Sequence, residues 1–298
     1  MGSFALCTLL PLVRCPHDGA ELTVIASYRN GADARIECVQ CRTTFLYENH
    51  ILDLMENSPP VADESRYELQ VRERDATSAR GHPSFRSTWQ DHTERSATLS
   101  ALGDLAGQAV LELGSGPGFF TRALSEAGAS IVGVDFSRAA LRINADQLSA
   151  DAPVLLVRAD VTRLRPASHA FAAVLCSLYS HLATPQLRET ANETVAGALE
   201  PNGRYWVGAH HQNVRRRLHA SPSDDRYQGS GIFFKAFTPR MLSSELRRHF
   251  TRVRVRGVSI WIPLLSRLPA MQRLINARGG RIAGVRDFGY LLLAEASN

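Results

Sequence analysis

The sequence predicts an α/β protein whose main part is a parallel sheet built from βαβ units, preceded by a small β module. From residue 101 onward, short apolar runs alternate with helix-like stretches, which is the pattern of such units. Residues 1–57 hold four of the five cysteines among short alternating runs that indicate small strands. Hydrophobic residues make up 44% and charged residues 21% of the chain, a composition that excludes a disordered or collagen-like protein.

Strands of the main part are predicted where an apolar run is bounded by turn residues, and helices where a capping residue opens the stretch. Ser137 is such a cap, and Thr238 is followed by Pro239, which suits a first helical turn. The seven strands are predicted at 109–113, 130–135, 154–158, 171–177, 204–209, 252–260 and 290–294, and the helices at 119–127, 137–148, 185–199 and 238–249.

Changes in composition predict three domains. The run Asn57-Ser58-Pro59-Pro60 ends the module, which we place at residues 1–57. Residues 58–100 are polar and helix-compatible but too poor in apolar residues to form a core, so we predict a helical lid or linker. Residues 101–298 form the main domain.

The charge and the N-terminus bear on location and partners. The net charge is +5, and residues 215–298 hold 16 basic and five acidic residues, which indicates a surface for phosphate or anionic lipid or merely an arginine-rich composition. No apolar stretch is long enough to span a bilayer. Residues 1–13 lack the basic start of a signal peptide, so we expect a cytoplasmic protein.

A glycine-rich turn between the first predicted strand and helix is the strongest local signal. It reads Glu112-Leu113-Gly114-Ser115-Gly116-Pro117-Gly118. Glycines allow positive φ angles and close approach of backbone amides to a ligand, and the helix start offers N–H groups to an anion. Asp135 closes the second strand, where a carboxylate can accept from both hydroxyls of a ribose. The pattern therefore predicts a nucleoside site.

The glycine spacing distinguishes between two nucleoside cofactors. A dinucleotide site would place glycine or alanine at position 119, which is Phe119 here. The turn instead resembles motif I of the class I S-adenosylmethionine-dependent methyltransferases, E/D-x-G-x-G-x-G. That resemblance implies a Rossmann-like sheet of seven strands with the last one antiparallel, and S-adenosylmethionine as cofactor. A nicotinamide enzyme and a non-catalytic cofactor-binding adaptor remain alternatives.

The resemblance also implies which residues form the site. Asp160 would accept from the adenine amino group, and the amide of Val161 would face a ring nitrogen. The implied cofactor-binding residues are Glu112, Gly114, Ser115, Gly116, Gly118, Asp135, Phe136, Asp160, Val161 and Cys176. Four side chains follow the fourth and fifth strands, at the sheet edge where substrates bind, and they are our catalytic candidates: His210, His211, His181 and Tyr179.

The cysteines of the module are spaced as zinc ligands. Cys15-Pro16-His17-Asp18 and Cys38-Val39-Gln40-Cys41 form paired knuckles, the arrangement that holds tetrahedral zinc. The segment resembles the zinc-ribbon (Trm112-like) modules that precede some methyltransferases, but Asp18 replaces their second cysteine. A site of Cys15, Asp18, Cys38 and Cys41, a site using His17, and a metal-free ribbon remain open.

Two classes of methyl acceptor fit the sequence. The apolar insertion at 259–271, with interspersed arginines, favours a small and hydrophobic metabolite or natural product, and it would cap a pocket or contact a membrane surface. The ribbon and the arginines at 215–217, 247–248 and 252–256 favour ribosomal RNA as the alternative acceptor.

Overall fold

In the computed structural model, the strands of the N-terminal module continue directly into the parallel sheet. The antiparallel strands β1 (Leu22–Tyr28), β2 (Asp33–Cys38), β3 (Thr44–Glu48) and β4 (Ile51–Asp53) pair in chain order. β4 then pairs in parallel with β7 (Val154–Arg158), which is followed by β6 (Ser130–Asp135) and β5 (Ala109–Leu113). The module therefore shares one sheet with the main domain, whereas the sequence predicted a separate small domain.

The structure describes residues 4–28, 33–55, 72–73, 76, 88–149, 151–228, 230–262, 269–282 and 284–298. The chain divides into two compact units. The first unit comprises Met1–Pro83, Asp104–Val174 and Gly197–Pro201, and the second comprises Ser84–Gly103, Leu175–Ala196 and Asn202–Asn298. The predicted boundary at residue 57 and most of the predicted lid lie outside the described residues, apart from α2 (Thr88–Leu102).

The core of the first unit lies around β5, β6 and β7, whose residues form nearly continuous apolar runs. Such runs are typical of parallel strands that are covered on both faces. Among the described residues of this unit, the helices with defined bounds are α1 (Phe4–Leu9), α3 (Thr121–Glu126) and α4 (Arg138–Ala145). The Ser137 hydroxyl accepts from the Ala140 amide at 3.1 Å, which confirms the predicted cap of α4.

The closing strands are antiparallel. β8 (Phe171–Cys176) leads from the first unit into the second, and β9 (Leu199–His211) begins five residues earlier than predicted. β13 (Gly289–Ser297) runs antiparallel both to β9 and to β12 (Arg252–Ile260). The prediction of seven strands with the last one antiparallel is confirmed.

The second unit also contains elements that the sequence did not reveal. A hairpin of β10 (Asp224–Arg226) and β11 (Phe233–Phe237) follows β9, and β11 pairs with β9 in parallel. The helices of the second unit are α5 (Pro185–Ala198, whose last two residues belong to the first unit), α6 (Val214–Leu218), α7 (Pro239–Leu246) and α8 (Pro269–Arg278). Within the described residues, none of the helices has the length and apolar character to cross a membrane.

Candidate functional site

The glycine turn has the strained geometry that its sequence predicts. Gly114, Gly116 and Gly118 have φ angles of 78°, 51° and 90°, a region that residues with a Cβ rarely adopt. A Cβ on Gly118 would lie 2.7 Å from the Asn144 Oδ1 atom, so this glycine is also required for packing. The amide of Gly114 donates to the Val134 carbonyl oxygen at 2.8 Å, which fixes the turn against β6.

Asp135 lies at the end of β6 and contacts the glycine turn. Its Oδ2 accepts from the Gly116 amide at 3.0 Å, and its Oδ1 accepts from the Ser137 amide at 2.9 Å. One carboxylate thus connects the turn to the start of α4. The structure therefore brings together two parts of the predicted cofactor site that are 19 residues apart.

Glu112 is buried below the turn in a polar network. Its Oε2 accepts from the Thr121 hydroxyl at 2.6 Å, and the Asn144 side-chain amide donates to the same hydroxyl oxygen at 3.0 Å. Burial and, to a smaller extent, the charge of Asp135 raise the pKa of Glu112, and the Thr121 hydrogen bond opposes them. The net pKa is about 8. Around the turn, three of the buried polar atoms that have no hydrogen-bond partner among the described residues are Glu112 Oε1, Ser115 Oγ and Asn144 Oδ1.

This shifted pKa makes the stability of the protein depend on pH. The folded state retains the Glu112 proton up to about pH 8, whereas the unfolded chain releases it near its ordinary pKa of 4.5. The free energy of unfolding therefore falls as pH rises between these values, by up to about 5 kcal/mol. We expect Glu112→Gln to remove this loss, so that the variant gains stability over the wild type at pH 8.5 but not at pH 4.5.

Urea unfolding at several pH values measures this effect. Glu126→Gln is the matched control, because Glu126 is an exposed glutamate on α3 that pairs with Arg122 at 2.8 Å. It should leave the pH dependence unchanged. If Glu112→Gln has the same pH dependence as the wild type, Glu112 is not protonated in the folded state.

The third strand end completes the predicted cofactor residues of the first unit. Asp160 accepts from the Thr162 amide at 2.9 Å and from its hydroxyl at 2.8 Å, which holds the carboxylate in a local turn. Val161 is buried, and the carbonyl oxygen of Phe136 accepts from Arg158 Nε at 3.2 Å. The amide of Ala159, the residue before Asp160, donates to the Asp135 carbonyl oxygen at 3.1 Å. The segment that contains Asp160 therefore adjoins the end of β6.

Two of the predicted side chains in the second unit are buried in its core. Cys176 is fully buried, and burial raises its thiol pKa to about 11. Tyr179 is also fully buried, and its hydroxyl donates to Glu245 Oε2 at 2.9 Å and accepts from Asn192 at 3.1 Å. Burial raises the pKa of Tyr179 well above its ordinary value. These surroundings suit packing rather than the catalytic role predicted for Tyr179.

The two adjacent histidines of β9 differ in their surroundings. His211 is 1% exposed, and its Nδ1 donates to the Gly289 carbonyl oxygen at 2.8 Å. Burial lowers the pKa of His211 to about 4, so it is neutral at physiological pH. His210 is half-buried, and its Nε2 lies 2.5 Å from the hydroxyl oxygen of Tyr227. Of these two histidines, only His210 has a ring that is both hydrogen-bonded and partly accessible to solvent.

His210 belongs to an aromatic cluster that the sequence did not reveal. Its ring centroid lies 6.0 Å from that of His181, 5.7 Å from that of Tyr227 and 4.8 Å from that of Phe234. His181 Nδ1 donates to the Phe233 carbonyl oxygen at 2.9 Å. The hairpin of β10 and β11 therefore brings Tyr227 to both His181 and His210, and Phe234 to His210.

The predicted metal ligands are brought together in the first unit. One ligand atom each from Cys15, Asp18, Cys38 and Cys41 lies within 4.8 Å of all the others. The Cys15 and Cys41 sulfurs are 3.6 Å apart, and Cys38 Sγ lies 3.4 Å from Asp18 Oδ1. His17 is exposed and does not belong to this group, so the geometry favours Asp18 over His17 as the fourth candidate ligand.

The arginines predicted to bind RNA are only partly available. Arg216 pairs with Asp225 at 2.9 Å, and Arg256 donates to the Ala97 carbonyl oxygen at 2.6 Å. Arg248 pairs with Glu189 at 3.3 Å. The two ion pairs neutralise positive charge that an RNA-binding surface would need, and the Arg256 contact occupies one of its hydrogen-bond donors.

Comparison with known proteins agrees with this geometry. Residues 110–203, which include part of the glycine turn's strand and the turn itself, match the model of the methyltransferase domain family. The chain has the Rossmann-like α/β fold of S-adenosylmethionine-dependent methyltransferases. Two solved structures with this fold are similar to it, with TM-scores of 0.53 and 0.55. The sequence prediction of this fold is confirmed.

Particular relatives make the similarity concrete. The demethylmenaquinone methyltransferase of Clavibacter sepedonicus is 36% identical over 91 residues, which are 30% of this chain and only 37% of that relative. The 1,6-didemethyltoxoflavin-N1-methyltransferase of Burkholderia thailandensis, with bound 1,6-didemethyltoxoflavin and S-adenosylhomocysteine, is 16% identical and covers 94% of this chain and 100% of its own, with a TM-score of 0.54. A chain in the complex between the Haloferax volcanii Trm112 methyltransferase activator and a methyltransferase is also similar. It is 20% identical, the match covers 76% of this chain and 97% of that chain, and the TM-score is 0.55.

Proposed function

We propose that the chain is an S-adenosylmethionine-dependent methyltransferase of a small, hydrophobic metabolite or natural product. The observation that carries this proposal is the glycine turn with Asp135 bonded to it and three unpartnered buried polar atoms around it. The match of this segment to the methyltransferase domain family supports it. The cytoplasmic location remains a prediction from the sequence.

The residues of the turn fit this cofactor. Because the glycines of the turn have positive φ angles and no Cβ atoms, the backbone can lie close to a ligand, which suits the methionine part of the cofactor. Asp135 is suited to accept from the ribose hydroxyls, and Glu112 Oε1 is a buried polar atom below the turn that has no partner among the described residues. When bound, the cofactor would supply an electrophilic methyl group to the lone pair of the acceptor, with S-adenosylhomocysteine as the leaving product. The chain's own contribution is mainly alignment and exclusion of water.

The aromatic cluster around His210 supports a flat, apolar acceptor. Ligand sites in open α/β sheets lie at the carboxyl ends of strands, and His210 occupies that end of β9. The rings of Tyr227 and Phe234 supply apolar faces that are 4.8 Å apart between centroids. The named substrates of two similar proteins, demethylmenaquinone and 1,6-didemethyltoxoflavin, support an acceptor of this kind.

We propose that His210 takes the proton which the acceptor loses on methylation, with Tyr227 fixing the imidazole. We expect His210→Gln to lower the rate constant for methyl transfer by about 100-fold, the usual contribution of a general base, while S-adenosylhomocysteine affinity stays unchanged. Tyr227→Phe should give a smaller loss and shift the pH dependence of the rate. His219→Gln, at an exposed histidine after α6, is the control. An unchanged rate in His210→Gln would remove His210 from the mechanism.

We also propose that Cys15, Asp18, Cys38 and Cys41 bind zinc. A tetrahedral zinc with Zn–S bonds of about 2.3 Å places two thiolates about 3.8 Å apart and a thiolate and carboxylate oxygen about 3.5 Å apart. The observed separations of 3.6 Å and 3.4 Å fit these values. The Ala20 amide, which donates to Asp18, lowers the pKa of this carboxyl to about 2, so it is ionised as a ligand must be. Elemental analysis of the purified protein tests the proposal directly.

Transfer of a labelled methyl group into fractionated cell extract tests the main proposal. Label in the organic-soluble small-molecule fraction supports it. Label in ribosomal RNA, with binding that weakens steeply as salt rises, would establish the RNA alternative instead. Cofactor binding without any labelled product in any fraction would indicate an adaptor.

A further inference from the structure

Asp53, at the end of the module's last strand, lies in register with the predicted ribose-binding carboxylate. Asp53 of β4 pairs with Arg158 of β7, and Arg158 pairs with Asp135 of β6. The three residues therefore form one row across three neighbouring strands. The row ends at the glycine turn, because Asp135 accepts from the Gly116 amide.

Side chains connect the same row. Asp53 Oδ2 accepts from Arg158 Nη1 at 2.9 Å and from Arg138 Nη2. Arg158 Nε also donates to the carbonyl oxygen of Phe136, next to Asp135, and Arg138 is the first residue of α4. The Asp53 side chain is only 3% exposed. Burial opposes its ionisation, but hydrogen bonds from both arginines outweigh burial and hold the pKa of Asp53 below its usual value.

We propose that Asp53 is a positioning residue for the cofactor: through Arg158 and Arg138 it fixes the segment 135–138 against the glycine turn. This inference rests on the proposed methyltransferase function. It gives the N-terminal module a direct role in cofactor binding in addition to any metal it holds. Without the Asp53 carboxylate, both arginines would lose the acceptor that they share and would hold the segment less firmly.

Titration with S-adenosylhomocysteine in a calorimeter tests the proposal on the full-length protein. We expect Asp53→Asn to weaken binding about tenfold, a coupling typical of residues within one polar network. The matched control is Glu48→Gln on neighbouring β3, because Glu48 is exposed. It should bind like the wild type. Arg138→Met is a milder second variant, since this arginine is 35% exposed, and it should weaken binding in the same direction.

A spectroscopic readout separates positioning from general stability. In amide NMR spectra of the apo protein, the Gly116 and Ser137 signals should shift in Asp53→Asn and Arg138→Met but not in Glu48→Gln. Unchanged affinity and unchanged signals in both variants would overturn the inference. If Asp53→Asn does not fold, Arg138→Met decides by the same two criteria. If the wild type itself does not bind S-adenosylhomocysteine, the proposed function fails rather than the role of Asp53.

Discussion

Replacing Asp135 with alanine is expected to weaken S-adenosylhomocysteine binding by at least about a hundredfold. A carboxylate that accepts from two ribose hydroxyls contributes about 1.5–3 kcal/mol per hydrogen bond, and about 1.4 kcal/mol corresponds to a tenfold change in affinity. The substitution also releases the Gly116 and Ser137 amides, to which this carboxylate is bonded. Both effects act in the same direction, because a free turn must be ordered again when the cofactor binds.

Calorimetric titration of Asp135→Ala and Asp135→Asn distinguishes the two effects. The asparagine oxygen can still accept from the Gly116 amide, but its NH2 group cannot accept from the Ser137 amide, so this variant should retain the turn and lose the charge and the bond to Ser137. Asp146→Ala, at an exposed aspartate after α4, is the control for removing a carboxylate from the same region. Wild-type affinity in Asp135→Ala would remove Asp135 from the cofactor site.

The parallel strands and the glycine turn could be predicted because their signals are local. A buried parallel strand is a continuous apolar run, and Gly114, Gly116 and Gly118 are needed for a backbone that other residues rarely adopt. The pairing of β4 with β7 could not be predicted in this way. It joins segments about 100 residues apart and is determined by the free edge of β7, not by any feature of the β4 sequence.

The catalytic candidates show what a single sequence leaves undetermined. His210 and His211 are adjacent in β9 and therefore point to opposite faces, so one is half-buried and the other fully buried. Which face is covered depends on tertiary packing. Tyr227 was missed because its contact with His210 is made by a hairpin whose strands have only three and five residues.

The structure favours Asp18 over His17 as the fourth ligand of the proposed metal site, and the reason lies in a local turn that the sequence spacing does not reveal. The turn after Cys15 is closed by a hydrogen bond from the Gly19 amide to the Cys15 carbonyl oxygen, at 2.9 Å. Within this turn, the Asp18 carboxylate accepts from the Ala20 amide and lies beside Cys38, whereas His17 is exposed. The short aspartate thus occupies the place of a cysteine.

Removing one of the cluster thiols should destabilise the protein strongly. A structural zinc site contributes its binding free energy to folding, and the module otherwise has a small core. We expect Cys38→Ser to purify without zinc and to unfold at a temperature lower by roughly 10 °C, which corresponds to about 3 kcal/mol in a protein of this size. Cys7→Ser is the control, because Cys7 is exposed on α1 and lies outside the cluster.

Replacing Asp18 with cysteine distinguishes a metal site from a metal-free ribbon. Thiolate is a better zinc ligand than carboxylate, so Asp18→Cys should hold zinc more tightly against a chelator than the wild type and should raise the unfolding temperature of the metal-loaded protein. A metal-free ribbon predicts the opposite order. There, Asp18 stabilises the turn through its hydrogen bond from the Ala20 amide, so Asp18→Cys would lower the unfolding temperature and Cys38→Ser would change it little. The sign of the temperature change in Asp18→Cys and its size in Cys38→Ser, measured on the same preparations as the zinc content, therefore decide whether these four side chains act together as ligands.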